Sequence, residues 1–210
     1  MKVAKYEHAC FTVENAGQVL VIDPGEWTTD FVVTDNIIAI VVTHEHGDHF
    51  DPSILAKIYD KNPNSVLASL KSIVDKMPDH TTKAVKPGDK IEIGPFNLEF
   101  FGGKHAIIHN SYPATENVGV LINDTVYYPG DSFALPGKPI DVLAIPASAP
   151  WLKISESIDF LNTVKPFLAF PTHDAILSET GKQLADRMLS QVAESATIAY
   201  SRIDGTTIEI

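Results

Sequence analysis

Hydrophobic and polar positions alternate over the first part of the chain, which predicts β-strands there. Val3–Val13 alternates, and Val19–Ile22 follows a polar turn and is ended by a turn at Pro24. Ile37–Thr43 is instead a continuous run of apolar, mainly β-branched residues, the pattern of a strand buried on both faces. The first part of the chain therefore predicts a sheet that contains a fully buried strand.

Four helices are predicted further along the chain from apolar residues at helical spacing. The first follows Asp51-Pro52, an N-cap and a proline at the first helical position. The last is amphipathic, with Leu184, Met188 and Val192 on its apolar face. Together the helices cover approximately residues 51–59, residues 70–77, residues 154–165 and a segment centred on residue 188.

Short apolar runs between these helices predict further strands. The turn signal at Asp204 predicts that Thr197–Ser201 and Thr206–Ile210 close the chain as a hairpin. Groups of strands punctuated by helices are typical of two packed sheets with helices outside them, an α+β class. The further predicted strands are Lys90–Ile93, Phe96–Phe101, Val118–Ile122, Thr125–Tyr128, Ile140–Ile145 and Phe167–Phe170.

Length and composition fit one folded domain over residues 1–210, because no repeat, low-complexity tract or linker divides the sequence. Apolar residues make up 44%, charged residues 20% and mean hydropathy is +0.03, values typical of a globular protein. No apolar run approaches the roughly 20 residues that a membrane-spanning helix needs. The N-terminus lacks a signal-peptide pattern and Cys10 has no partner for a disulfide, so we expect a cytoplasmic protein.

The densest group of candidate functional residues directly follows the buried strand. Three of the eight histidines and one aspartate lie within residues 44–49, namely His44, His46, Asp48 and His49. Side chains two residues apart on an extended backbone project to the same side, so His44 and His46 can converge on one ion. Gly47 permits a bend beyond which Asp48 and His49 can face a second ion. Imidazole and carboxylate ligands suit zinc, manganese or iron, so the segment predicts a metal site rather than a surface loop.

The pattern His44-x-His46-x-Asp48-His49 matches the signature of the metallo-β-lactamase superfamily, which the chain resembles from about Lys5 to its C-terminus. Within this superfamily the chain is most similar to the branch of L-ascorbate-6-phosphate lactonase and N-acylphosphatidylethanolamine phospholipase D. Residues 7–11, 22–24 and 149–151 carry that closer resemblance. The later motifs of the superfamily are resembled, in the expected order, by Gly103-Lys104-His105-Ala106, Pro129-Gly130-Asp131-Ser132 and Pro171-Thr172-His173-Asp174.

This resemblance implies an αββα sandwich of two mainly antiparallel sheets flanked by helices, with two divalent metal ions at one edge of the sheets. Zn²⁺ is the expected metal, and Mn²⁺ or Fe²⁺ are alternatives with similar ligand preferences. The implied ligands are His44, His46 and His105 for the first metal, Asp48, His49 and His173 for the second, and Asp131 as a bridge between them.

The chemistry of such a site is hydrolysis. Two dications roughly 3.5–4 Å apart lower the pKa of a bridging water from 15.7 toward about 7, and they polarise the substrate oxygen. The chain is therefore expected to cleave a small ester, lactone or phosphodiester with a metal-held hydroxide, which Asp48 would orient. No protein nucleophile is evident, because Cys10 is better explained as a buried core thiol.

Several further residues are candidates for supporting roles. His109 competes with His105 for the third histidine position; if His105 fills it, His109 is a candidate acid for the leaving group. His8 is a candidate catalytic residue beside the metals or a structural histidine. Asp23 either accepts a hydrogen bond from a ligand histidine or is a turn residue before proline. The candidates for the pocket lining are Trp151, Lys153 and Tyr112.

The net charge of the chain indicates which kinds of partner it can bind. The chain has 16 basic and 27 acidic residues, so its formal net charge is −11. This charge disfavours a nucleic-acid partner and a metal-dependent nuclease. A small-molecule substrate is expected, and an anionic one is compatible because two dications would supply positive charge. The alternative from another class is a non-catalytic metal-binding scaffold, disfavoured because all seven implied ligands are present. A homo-oligomer is expected only by analogy with the same branch.

Overall fold

Two sheets of seven strands each form the centre of the fold. The computed structural model describes residues 1–210. In spatial order, the first sheet contains β14 (Thr207–Glu209), β1 (Lys2–Lys5), β2 (Phe11–Asn15), β3 (Gln18–Ile22), β4 (Ile37–Val42), β5 (Val66–Ser69) and β6 (Thr82–Ala84). The second contains β13 (Ala199–Tyr200), β12 (Leu168–Thr172), β11 (Val142–Pro146), β10 (Val126–Tyr128), β9 (Val118–Ile122), β8 (Phe96–Gly102) and β7 (Lys90–Ile93).

Four helices complete the fold: α1 (Pro52–Lys61), α2 (Lys71–Val74), α3 (Ile154–Val164) and α4 (Glu179–Ser195). The first helix begins where the sequence predicts, because the Asp51 side chain accepts a hydrogen bond from the Ser53 N–H at 2.7 Å. The second helix is a single turn and is shorter than the predicted residues 70–77. None of the four helices is long and apolar enough to cross a membrane.

Three clusters of buried apolar side chains define the layers. The largest lies between the sheets, where the Phe11 ring packs edge-on against Tyr128 and Phe170 at centroid distances of 5.5 and 5.6 Å. A second cluster joins the first sheet to α1 through residues such as Leu55, and a third joins the second sheet to α3 and α4 through residues such as Leu189. The order helix, sheet, sheet, helix confirms the predicted αββα class.

Each sheet is half antiparallel and half parallel, which corrects the prediction of mainly antiparallel sheets. In the first sheet, β14, β1, β2 and β3 pair antiparallel and β3 to β6 pair parallel. In the second sheet, β7 to β10 pair antiparallel and β10 to β13 pair parallel. Parallel neighbours need a crossover connection. Four of the six crossovers contain a helix, α1, α2, α3 or α4, and the β3–β4 and β10–β11 crossovers are loops without a helix.

The buried face of α4 differs from the predicted one. Ala185, Leu189 and Ala193 are buried, whereas Leu184 is 44% exposed and Met188 37%. Both sets repeat every four residues, so helical spacing alone does not distinguish two adjacent faces of one helix. Leu189 and Ala193 join the apolar cluster of the second sheet, so the buried face of α4 is the one with two alanines and not the one with the larger side chains.

The C-terminal segment does not form the predicted hairpin. β13 pairs in parallel with β12 in the second sheet, whereas β14 pairs antiparallel with β1 in the first. The turn at Asp204 therefore carries the chain from one sheet to the other, and Asp204 makes an isolated bridge to Lys5 on the way. A turn signal predicts a sharp change of direction, but it does not specify which sheet the next strand joins.

Candidate metal centre

The seven predicted metal-binding side chains lie together on loops that follow four different strands. These are the loops after β4, β8, β10 and β12. With His8 they form two groups of four residues, and within each group the possible ligand atoms lie within 4.8 Å of one another. The first group is His44, His46, His105 and Asp131, and the second is His8, Asp48, His49 and His173. A third such group, Asp23, His44 and His49, shares one residue with each of the other two.

Asp131 stands between the two groups. Its Oδ2 atom lies 3.2 Å from His105 Nε2 in the first group and 3.0 Å from His173 Nε2 in the second. Its Oδ1 atom lies 3.2 Å from His49 Nε2. The side chain is almost completely buried. This is the placement that a carboxylate shared by two ions requires.

The outer nitrogen of each buried histidine of this set has a hydrogen-bond acceptor. His49 Nδ1 donates to Asp23 Oδ2 at 2.7 Å, and His173 Nδ1 donates to the Ser148 carbonyl at 2.6 Å. His105 Nδ1 likewise donates to a backbone carbonyl at 2.5 Å. A neutral imidazole that donates through Nδ1 carries its lone pair on Nε2. These rings are therefore oriented to present Nε2 lone pairs to the interior of the site.

The atoms that face inward fit a metal ion. His49 Nε2, His105 Nε2 and Asp131 Oδ1 are buried without a hydrogen-bond partner. An unsatisfied buried polar atom costs about 1–3 kcal/mol, which a bound cation would remove. The ring nitrogens His44 Nε2 and His46 Nδ1 also face each other at 3.1 Å. Imidazole nitrogens with carboxylate oxygens are the donor set of catalytic zinc sites, so the residues present fit a divalent metal.

Charge inside the site favours cations. Burial by itself lowers the pKa of His173, but the facing Asp131 and Asp48 carboxylates raise it to about 9. Burial is likewise outweighed at His49, whose pKa is raised by Asp131 and Asp23. Burial would raise the pKa of Asp131, but the facing histidines hold it well below its usual range. The Asp131 and Asp48 carboxylates are therefore ionised at neutral pH. In the absence of metal, His49 and His173 are protonated beside them.

His8 lies in a turn that divides the predicted Val3–Val13 strand in two. The Ala175 N–H donates to His8 Nδ1 at 3.2 Å, so the proton of the neutral ring lies on Nε2. His8 Nε2 then donates to Asp48 Oδ2 at 3.0 Å. Burial lowers the pKa of His8 to about 4, more than Asp48 raises it, so the ring is neutral at pH 7. His8 has no free lone pair for a metal and is instead placed to orient Asp48.

Asp23 belongs to the support of the site and not simply to a turn. Its buried carboxylate accepts hydrogen bonds from the Thr43 N–H at 2.7 Å, from Thr43 Oγ1 at 2.6 Å and from His49 Nδ1. Thr43 Oγ1 in turn lies 3.1 Å from His44 Nδ1. One carboxylate thus orients a histidine of each group.

Of the remaining sequence candidates, only Trp151 contacts the site. Trp151 reaches the site, since its Nε1–H donates to Asp131 Oδ2 at 2.8 Å. His109 is exposed and its side chain bonds only to Ser111, so the structure places His105 and not His109 with the other histidines. Two further candidates, Lys153 and Tyr112, are exposed and make no side-chain hydrogen bond to the site.

Two residues at the site are absent from the sequence-based candidates. The Asn117 side chain accepts from the Asp131 N–H at 3.0 Å and donates to the Pro129 carbonyl at 2.9 Å, which fixes the loop of the shared carboxylate. Gly25 packs directly on the peptide between Asp48 and His49, where a Cβ atom would overlap it. The turn motif gave a signal for Gly25, whereas nothing in the sequence around Asn117 marked it.

The four-layer fold with histidines and aspartates gathered beyond the ends of its strands defines a class of protein. The family model described as Beta-lactamase superfamily domain matches residues 2–173. The chain therefore belongs to this family, and its resemblance to the metallo-β-lactamase superfamily is confirmed at that level.

Individual relatives agree in length with this chain. Protein Rv0786c of Mycobacterium tuberculosis is 34% identical over 183 residues, which cover 85% of this chain and 86% of the relative. A UPF0173 metal-dependent hydrolase of Staphylococcus saprophyticus is 24% identical over 201 residues, covering 82% and 85%. Among solved structures, the metallo hydrolase Igni18 of Ignicoccus hospitalis matches with a TM-score of 0.75 at 14% identity, covering 100% of this chain and 98% of that one. The structural match shows a shared fold.

Proposed function

We propose that this chain is a metal-dependent hydrolase that cleaves a small ester, lactone or phosphodiester. Two divalent cations, Zn²⁺ in the first instance, would supply hydroxide at neutral pH and polarise the substrate oxygen. His44, His46 and His105 would hold one cation, Asp48, His49 and His173 the other, and Asp131 would be shared.

The observation that supports this proposal best is the arrangement around Asp131. Two groups of inward-facing donor atoms meet at one buried carboxylate, and several of these atoms have no other partner. A single structural metal would need only one such group in a closed site. Two adjacent groups with a shared carboxylate favour a pair of ions, the arrangement used for hydrolysis in two-metal sites.

Protein side chains have defined tasks in this proposal. Asp48, held by the His8 Nε2–H, would accept a hydrogen bond from the attacking water and fix its direction. The Trp151 indole N–H donates to Asp131 Oδ2 at 2.8 Å and would orient the shared carboxylate. Neither residue needs to change its protonation state for these tasks.

Two observations support the choice of substrate class. The net charge of −11 disfavours a polyanion, which leaves small molecules as the preferred substrates. The sequence resemblance to the branch of L-ascorbate-6-phosphate lactonase supports lactones as the first compounds to test, with esters and phosphodiesters beside them. The name of the staphylococcal relative, a metal-dependent hydrolase, agrees with this choice.

The test combines metal content with hydrolysis. Protein purified without chelator is analysed by elemental mass spectrometry and then assayed on lactones, aryl esters and aryl phosphodiesters with Zn²⁺ or Mn²⁺ added. We expect about two metal equivalents per chain, as for other two-metal sites, and turnover of at least one substrate class. Asp131→Ala is expected to lose metal and activity together, because it removes the shared ligand.

Asp124→Ala is the matched control, since Asp124 is an exposed aspartate outside the candidate site. It should keep both metal and activity. A wild-type chain that binds no metal even when metal is added would exclude the hydrolase. Metal bound without turnover of any substrate class would favour the non-catalytic scaffold instead.

A further inference from the structure

An ionic cluster with a buried centre lies next to the second group of ligand atoms. Asp174, the residue after His173, is 2% exposed. Its Oδ1 atom lies 3.3 Å from Lys5 Nζ, and its Oδ2 atom accepts a hydrogen bond from Arg202 Nη1. The Lys5 side chain is also almost completely buried, although lysine is seldom buried unless paired.

Arg202 connects this pair to the rest of the cluster. Its Nε and Nη2 atoms form a fork with the two carboxylate oxygens of Asp186 on α4, at 2.7 and 3.0 Å. Asp204 accepts from both cations, at 2.8 Å from Lys5 Nζ and 2.8 Å from Arg202 Nη1. Two cations and three carboxylates thus hold the C-terminal segment against β1 and the loop after β12.

The loop that this cluster holds carries a predicted metal ligand. His173 has a φ of 59°, a left-handed conformation that is uncommon for a residue other than glycine. Its N–H donates to the His8 carbonyl at 3.1 Å, and the Ala175 N–H donates to His8 Nδ1 at 3.2 Å. Residues 173–175 therefore position both His173 and the ring that orients Asp48. Such a strained loop needs anchoring by its surroundings.

We propose that Asp174 is a positioning residue, which Lys5 and Arg202 hold so that His173 and His8 stay in register with Asp48. The family model ends at residue 173, so the proposal gives a role at the site to a segment beyond the family match. The proposal depends on the metal centre proposed above, but it concerns how this chain supports one half of that centre.

The experiment measures the affinity of each Zn²⁺ equivalent by competition with a chelator. Asp174→Asn keeps the size of the side chain and removes its charge, so the ion pairs with Lys5 and Arg202 are lost. We expect one Zn²⁺ equivalent to bind about 10-fold more weakly or worse, while the affinity of the other is unchanged. Arg202→Lys keeps the charge but loses the fork to Asp186, so a smaller change in the same equivalent is expected.

Lys138→Met is the matched control, because Lys138 is also held by two carboxylates, at 2.5 Å from Glu99 and 2.5 Å from Asp124, but outside the site. It should leave both Zn²⁺ affinities unchanged. A folded Asp174→Asn protein that binds both equivalents as tightly as wild type would overturn the positioning role. If Asp174→Asn does not fold, the Arg202→Lys variant provides the test: unchanged affinity for both Zn²⁺ equivalents would overturn the positioning role. A wild-type protein that binds no Zn²⁺ would instead overturn the metal centre itself.

Discussion

At the scale of single residues, the hydrogen bond at one histidine nitrogen determines what the other nitrogen can do. His49 and His173 donate through Nδ1, so each ring, when neutral, presents an Nε2 lone pair. His8 accepts at Nδ1 from a backbone N–H and so presents an Nε2 proton. Hydrogen bonding at Nδ1 thus makes His49 and His173 candidate metal ligands and makes His8 a candidate donor to Asp48.

This division predicts the behaviour of His8 variants. His8→Ala should retain both metals at saturating Zn²⁺, because no ligand is removed, but Asp48 loses its donor. We expect kcat/KM to fall about 10- to 100-fold, the usual effect of losing the partner of a ligand. His8→Gln, whose amide can still donate, should lose less. Steady-state kinetics with metal analysis checks this, and loss of one metal from His8→Ala would instead identify His8 as a ligand.

The site residues differ in how far the sequence predicts them. His44, His46, Asp48 and His49 are close in sequence, so local spacing alone indicates a metal site. His105, Asp131 and His173 were reached only through resemblance to a family, because their proximity depends on the fold. Asn117 and Asp174 make their contacts with distant segments, which local spacing does not reveal. Asp174 lies in the last histidine motif, but the resemblance implies no role for it.

At the scale of elements, local pattern predicts where strands and helices occur better than how they pair. The sequence predicts the strand at residues 37–42 to within one residue and the helix capped by Asp51 to within about two. The parallel halves of the sheets and the separation of β13 from β14 were not predicted. Strand pairing is decided by which apolar faces meet across the core, and a linear pattern does not contain that information.

The face of α4 offers a direct test at this scale. Leu189 is fully buried against the second sheet, whereas Leu184 on the adjacent face is 44% exposed. Leu189→Ala should lower the free energy of unfolding by about 2–5 kcal/mol, because it leaves a cavity. Leu184→Ala should change it by less than about 0.5 kcal/mol. Urea unfolding of both variants measures the difference, and equal losses would place the wrong face against the sheet.

At the scale of the whole molecule, the charges of the site couple stability to pH when no metal is bound. The pKa of His173 is raised to about 9, and that of His49 is raised as well. An unfolded histidine has a pKa of about 6.5. A raised pKa contributes stability that is fully present below the unfolded pKa and is lost as pH rises through the folded one. The metal-free protein should therefore lose stability between about pH 6.5 and pH 9.

Urea unfolding at several pH values with chelator present measures this loss. The Zn²⁺-loaded protein is the control: the Nε2 atoms of His49 and His173 would then be ligands and could not gain a second ring proton, so the same loss is not expected. Metal-free stability that stays constant or rises from about pH 6.5 to pH 9 would contradict the assigned protonation of the two histidines.

The division of the candidate ligands between the two sheets has a consequence for synthesis. His44, His46, Asp48 and His49 follow a strand of the first sheet, and His105, Asp131 and His173 follow strands of the second. Each group of four residues draws on both sets. A nascent chain that has emerged from the ribosome only as far as β6 would thus hold neither group complete. The first group would be complete once the loop after β10 has emerged and the second only after β12, so neither ion would meet its full set of ligands until more than half of the chain has been made.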